Sequence, residues 1–297
     1  MRPSQRLRQP RRLPRLQTNR RFRRARRSRN DRAADSLFLI GARLEPCPFS
    51  GKTMTSQPLL GKSALITGGA RRVGRAIALA LAQAGADVAI TFRSSKAEAA
   101  ETVCEIEALG RQALAVACDV RSEVSVKAAV AEAVNRFGRL DIVVNNAAVF
   151  ESATLESLTL DQWDAVFETN ARGPFLVARE ALPHLRADQG RIINIGSLGG
   201  MRAWAGHAHY CASKAALHSL TQSMAKAFAP EVSVNCVAPG WIELEESDAE
   251  RAAHFARKTP MRRNGRVEDV AQAALFFAAG PHFITGQVLA VDGGLGL

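Results

Sequence analysis

From Lys62 onward, short apolar runs alternate with longer segments whose apolar residues recur every three or four positions. The runs are SALIT (63–67), DVAITF (87–92), ALAVA (113–117), DIVVN (141–145), RIINIG (191–196), VSVNCV (232–237) and QVLAV (287–291). Short and rich in Val, Ile and Ala, they read as strands. Segments between them, such as Val73, Ile77, Leu81 and Val124, Ala128, Ala131, carry helical spacing. This alternation predicts right-handed crossovers and an α/β fold, a doubly wound parallel sheet of about seven strands with helices on both faces. No fixed period repeats and no linker divides residues 60–297, so one domain is expected.

Composition changes that picture only at the N-terminus. With 47% hydrophobic residues, a chain of 297 can bury a sizeable core. Residues 1–53 hold sixteen Lys/Arg against three acids, Asp31, Asp35 and Glu45, a charge of +13; residues 54–297 hold 24 against 25, or −1. The basic balance therefore belongs to the extension. Its first thirty residues contain three prolines, no acid and no apolar periodicity, which predicts disorder. Three readings are open: sequence upstream of a natural start at Met54, an organellar transit peptide, or an arm that binds nucleic acid. The first is preferred, which leaves a nearly neutral domain over residues 54–297 and places nucleic-acid binding last.

Five widely spaced cysteines, Cys47, Cys104, Cys118, Cys211 and Cys236, form no CxxC pair and have no His at ligand spacing. They argue for reduced thiols and against a disulfide scaffold or a metal site. No apolar run approaches a membrane span, so a soluble cytoplasmic protein is expected, or an organellar one if residues 1–53 are a transit peptide.

Chemistry enters at TGGARRVGRAIA (67–78), where a Gly-rich turn joins the first strand to a helix. Such a turn offers backbone N–H groups and a positive helix end to a pyrophosphate, although Gly-rich turns also occur simply as turns. The spacing is not GxGxxG. It resembles the TGxxxGxG turn of the short-chain dehydrogenase/reductase family, with Arg72 in place of the second glycine. Later motifs follow in the family's order. They are CDV (118–120), NNAA (145–148), Asn170 in FETNARGPF, Ser197 after the fifth strand, YCASK with Tyr210 and Lys214, PGWI (239–242) and GQVLAVDGG (286–294). The resemblance spans nearly all of residues 62–297 and implies a Rossmann-like oxidoreductase.

It also implies the site. Asn170, Ser197, Tyr210 and Lys214 would be catalytic. Cofactor contacts would come from Gly68, Arg71, Arg72, Val73, Arg93, Asp119, Val120, Asn146, Pro239, Gly240 and Ile242, together with Tyr210 and Lys214. Tyr210, the sole tyrosine, lies four residues before Lys214 on a predicted helix, so the two share a face. A neighbouring ammonium favours phenolate and would draw the phenol's pKa toward neutrality for proton exchange with a carbonyl oxygen. Ser197, thirteen residues earlier, would hydrogen-bond that oxygen. In the family's scheme Asn170 holds a water linking Lys214 to solvent.

An NAD-preferring relative would carry Asp at the end of the second strand; here that position is Phe92, followed by Arg93. Arg71 and Arg93 can instead clamp a 2′-phosphate, which makes NADPH the expected cofactor. Arg72 resembles the turn of pteridine reductases, and Phe150, just past the NNA motif, falls where those enzymes stack a pterin. An ordinary apolar lining residue is the other reading of Phe150. Ser197 departs from the pteridine pattern, which has Asp there, and completes the Ser-Tyr-Lys set of ketone and 3-oxoacyl reductases. A carbonyl reductase acting on a small molecule is therefore preferred, with dihydropterin reduction second and a non-catalytic NADPH-binding or RNA-associated protein third. The family resemblance also implies a homo-oligomer, commonly a tetramer. His207 and His209 lack acidic partners at metal spacing and read as pocket lining or solvent-exposed. Residues 243–258 read as a solvated helix at the family's substrate-covering segment.

Overall fold

Each of the seven apolar runs is a strand in the computed structural model, which describes residues 57–297. The predicted N-terminal extension, residues 1–53, and Met54 lie outside the described residues. The strands are β1 (Ser63–Ile66), β2 (Asp87–Phe92), β3 (Ala113–Ala117), β4 (Ile142–Asn145), β5 (Arg191–Ile195), β6 (Ser233–Pro239) and β7 (Val288–Val291). All pair in parallel in the order β3-β2-β1-β4-β5-β6-β7. The winding reverses between β1 and β4, and ligands in such sheets bind beyond the strands' carboxyl ends at that reversal.

Helices α1 (Arg72–Gln83), α2 (Lys96–Ala108), α3 (Glu123–Phe137), α4 (Leu160–Phe167), α5 (Gly173–Leu185), α6 (Ala208–Phe228), α7 (Ala249–Lys258) and α8 (Val267–Ala279) complete the fold. Because side chains alternate along a strand, neighbours enter different cores. Ile66, Ile90, Val144 and Ile193 pack with Ile77 and Leu81 of α1 and Val270 and Phe277 of α8. Leu65, Ala89, Val143 and Ile192 pack with Val126 and Val130 of α3, Val177 and Leu185 of α5, and Met224 of α6. Burial on both faces is why the central runs β1, β4 and β6 are continuously apolar rather than alternating, whereas edge strand β7 leaves Leu289 exposed. Among the described residues, no helix is long and apolar enough to cross a membrane.

Two sequence expectations need correction here. Helix α3 forms where predicted, but its buried face is Val126, Ala129, Val130 and Ala133, while Val124, Ala128 and Ala131 are exposed. Two apolar sets interleave in this Ala-rich segment, and the sheet takes the one with two valines in phase. Asn170 lies not in regular α-helix but in a π-helical turn, Glu168–Arg172, between α4 and α5. That turn closes with Gly173 N–H donating to Glu168 O.

Candidate active site

The turn between β1 and α1 is organised from outside itself. Thr67 Oγ1 accepts from the backbone N–H groups of Asn146 and Ala147 at 3.0 and 3.1 Å, and Asn146 Nδ2 donates to Thr67 O and Gly68 O, both at 3.0 Å. The Asn146 side chain is thus spent on holding the turn. Gly68 sits at φ +63°, in the left-handed region. A Cβ on Gly74 would run into Gly68 O, so the first turn of α1 passes directly over the loop. No side chain caps α1 at Arg71, which leaves its first N–H groups free for an anion.

Arg72 also adopts a left-handed conformation, φ +51°. The family's glycine at this position is therefore explained, since a side chain there costs about 1–2 kcal/mol of backbone strain. The Arg72 guanidinium is ion-paired with Glu246, in the segment leading to α7.

A cleft of about 350 Å³ opens at this reversal point. Its lining includes the predicted Gly68, Arg71, Arg72, Val73, Arg93, Asp119, Val120, Asn146 and Ile242. Pro239 and Gly240, at the end of β6, and Tyr210 and Lys214 are not part of that lining. The Asp119 carboxylate is held by Arg121, through Nη2 at 2.6 Å and Nε at 3.0 Å, and this bonding lowers its pKa to about 2. Thr91, Ser94, Ser95 and Leu244 line the cleft as well and were not anticipated. An uncapped helix end, a Cβ-free approach at Gly74 and three guanidinium groups fit the phosphates of a dinucleotide.

The second group of residues is withdrawn from solvent. Ser197 follows β5 in extended backbone, and its Oγ accepts from Gly199 N–H at 3.0 Å, which shapes the short 3₁₀ turn Leu198–Gly200. Lys214 is 3% exposed, and its Nζ donates to Ile195 O at 2.7 Å. Burial lowers its pKa to about 8. The ammonium stands 5.8 Å from the Tyr210 ring centroid. Burial pushes the Tyr210 phenol up, with the Ser197 hydroxyl acting in the opposite direction. The expected drift of the phenol toward neutrality is therefore not met, because desolvation dominates and the ammonium is engaged by a carbonyl.

Asn170 ties the π turn to the loop after β4. Its Oδ1 accepts from Val149 N–H at 2.8 Å, and its Nδ2 donates to Val149 O at 2.9 Å and Ser213 Oγ at 3.1 Å. Ser213, inside YCASK, was missed by sequence reasoning, although a small polar residue on that helix face was the available signal. Beneath these residues a buried polar chain runs from Asn145 Nδ2 to Asn194 Oδ1 and from Asn194 Nδ2 to Thr221 Oγ1, each at 2.8 Å.

Aromatic rings cover the phenol. Phe150 meets Tyr210 edge to face at 4.8 Å and stacks on His207 at 4.7 Å, while Trp204 lies nearly parallel to Tyr210 at 6.2 Å. His207 belongs to this wall, as expected of a lining residue. His209 is instead fully buried, its Nε2 3.7 Å from Glu151 Oε1. Trp204 carried no sequence signal, since only folding brings it against α6. Among the described residues no group of His, Cys, Asp and Glu is arranged to hold a metal ion.

The chain is similar to known proteins in sequence and in fold. A family profile described as Enoyl-(Acyl carrier protein) reductase matches residues 68–296. The 3-oxoacyl-[acyl-carrier-protein] reductase FabG of Staphylococcus aureus strain Mu50 is 39% identical over 240 residues, 79% of this chain and 98% of that protein. The 3-oxoacyl-[acyl-carrier-protein] reductase of a Synechocystis species is 37% identical over 80% of this chain and 98% of its own length. Among solved structures, a short chain dehydrogenase from Burkholderia cenocepacia J2315 in complex with NADP is 41% identical, with a TM-score of 0.76 over 81% of this chain and 100% of that one. A blue fluorescent protein from a metagenomic library, in complex with NADPH, is 39% identical with a TM-score of 0.76 over 80% of this chain and 99% of its own. With the family profile, the 39% identical relative and the strand order agreeing, the chain belongs to the short-chain dehydrogenase/reductase family of oxidoreductases.

Proposed function

We propose that the protein is an NADPH-dependent reductase of a ketone or 3-oxoacyl C=O, with Tyr210 as proton donor. One observation carries this reading: the only tyrosine of the chain is half-buried beside the Ser197 hydroxyl, on the same helix as a buried lysine. A phenol whose pKa is raised by burial stays protonated at neutral pH, the state that a donor to carbonyl oxygen requires. Ser197 Oγ orients that oxygen, and Lys214 supplies the positive charge that steadies the tyrosine once its proton has left. The Asn170 side chain is occupied, so in this reading its main-chain carbonyl, within the π turn, holds the water through which Lys214 reaches solvent. Bound NADPH supplies the hydride.

Arg71 and Arg93 select the 2′-phosphate, and Gly68, Val73, Asp119, Val120, Pro239, Gly240 and Ile242 shape the rest of the dinucleotide site. The NADP and NADPH complexes of the Burkholderia and metagenomic relatives support this choice. The FabG relatives support a 3-oxoacyl thioester as substrate. A dihydropterin is the second reading, favoured by Arg72 in the turn and by the Phe150 face, which is 53% exposed beside the phenol. Exposed Phe276 on α8 and Leu289 on the edge strand β7 support a homo-oligomer, measurable by light scattering.

The test is NADPH oxidation with acetoacetyl thioesters, small diketones and dihydropterins. Turnover of a ketone or thioester is expected. Phe150→Ala should leave small ketones nearly untouched and, if pterins are used at all, raise their KM by the worth of one ring stack, about 1–3 kcal/mol. Efficient dihydropterin turnover with no carbonyl reduction would replace the first reading by the second.

A further inference from the structure

Tyr210, Lys214 and His218 follow one another at intervals of four residues, so they form a single stripe along α6. The first two are absorbed by the proposed chemistry, whereas the third is buried and has no part in it. Its surroundings are specific. His218 Nε2 accepts from the backbone N–H of Ser197 at 3.5 Å, in the peptide unit next to the one whose Ile195 carbonyl Lys214 holds at 2.7 Å. Adjacent turns of one helix therefore grip the end of β5 at Ile195 C=O and Ser197 N–H.

Both glycines that flank the serine turn are shaped by the same ring. A Cβ on Gly196 would run into His218 Nε2 and lie 2.7 Å from Cys236 Sγ. A Cβ on Gly200 would lie 2.6 Å from His218 Cε1 and 2.8 Å from the Lys214 carbonyl carbon. The imidazole thus occupies a slot that exists because residues 196 and 200 have no side chains, and Ser197 is pinned between them. Acceptance at Nε2 requires the neutral ring with its proton on Nδ1. Burial, followed by the nearby Lys214 charge, lowers its pKa to about 4 and keeps it neutral near pH 7.

We infer that His218 is a positioning residue for carbonyl reduction, which registers the Ser197 hydroxyl against Tyr210 by bonding the Ser197 N–H and filling the slot between Gly196 and Gly200. The inference rests on the proposed reductase activity. Ser197 and Tyr210 come from different elements, and a serine that orients a reacting oxygen must be placed to a fraction of an ångström relative to the donor. The stripe on α6 provides that registration because one rigid helix carries the donor and both clamps.

The experiment is a double-mutant cycle on the full chain, with kcat, KM and NADPH affinity measured separately. His218→Leu should lower kcat for the carbonyl substrate by about tenfold to a hundredfold, the cost of a misplaced reacting group, while NADPH affinity stays unchanged. His218→Gln, which keeps an acceptor near the Nε2 position, should recover most of that loss. In a Ser197→Ala background, His218→Leu should cost no more than about twofold further, because its effect passes through the serine. Gly196→Ala should lower the melting temperature, and adding His218→Ala should restore part of it, a packing readout that needs no substrate. Equal losses in both serine backgrounds, a glutamine variant as poor as the leucine one, or no thermal recovery in the pair would each overturn the inference while leaving the reductase reading intact. A wild type inactive on every carbonyl of the panel would overturn both.

Discussion

Arg71, Arg72 and Arg93 stand exposed around the Gly-rich turn, whereas Ser197, Lys214 and His218 are buried at the end of β5 and along α6. The first region acts by charge in water, with long side chains and one strained backbone position, and solvent and salt screen what it does. In the second, each dipole works in a low dielectric, and Lys214, Ser197 and Asn170 all have protein partners for their polar atoms. The exposed region is thus suited to choosing and holding a ligand, and the buried one to geometry and proton transfer. Substitutions should separate along that line, with binding affected at the rim and rate affected in the interior.

The largest effect is expected in the interior. Tyr210→Phe keeps the ring that Phe150 and Trp204 pack against and removes only the hydroxyl, so turnover should fall by about a hundred- to ten-thousandfold, the usual worth of general acid catalysis. NADPH titration of the variant should match wild type. Near-normal turnover would break the assignment of the interior to proton transfer.

At the rim, Arg93→Ala should weaken NADPH by roughly 1.5–3 kcal/mol, the worth of a hydrogen bond to a charged group, and leave NADH almost unchanged. Raising the salt concentration should shrink the difference, because the guanidinium is exposed. Equal losses for both cofactors would show that Arg93 does not read the 2′-phosphate.

A smaller effect appears in stability against pH. His218 has a folded pKa of about 4, below its ordinary 6.5, so the folded chain binds fewer protons than the unfolded one between those values. Its contribution is fully present above about pH 6.5 and is lost as pH falls toward about 4. Carboxylates titrate near the lower limit too, so the difference in melting temperature between wild type and His218→Gln isolates the histidine. A difference that stays constant between pH 7 and 4 would show that the ring is not held neutral.

The smallest change is expected where the rim is strained. Arg72→Gly relieves a left-handed arginine at about 1–2 kcal/mol and removes the exposed pair with Glu246, worth about 0–1 kcal/mol. The melting temperature should rise by about 2–4 °C for each kcal/mol of net gain in a domain of this size. A fall would mean that the Glu246 pair outweighs the strain.

What could be read along the chain was whatever depends on neighbours in sequence. Seven continuous apolar runs became seven strands within a residue or two at their ends, because a strand in the interior of a covered sheet leaves a local apolar mark, and the less buried edge strands β3 and β7 carry the same composition. The Gly-rich turn and the four-residue step from Tyr210 to Lys214 were legible for the same reason, being set by backbone geometry over a few residues. Contacts between distant segments were not. Asn146 spends its amide on Thr67 and Gly68, nearly eighty residues earlier, and Asn170 spends its own on Val149 and Ser213. The face that α3 buries, the pairing of Arg72 with Glu246 and the slot that His218 fills between two glycines were likewise decided only by folding. In each case the sequence offered the right residue types, but which of them meet depends on how helices dock on a shared sheet, and docking is fixed by shape and burial over the whole domain rather than by any local pattern.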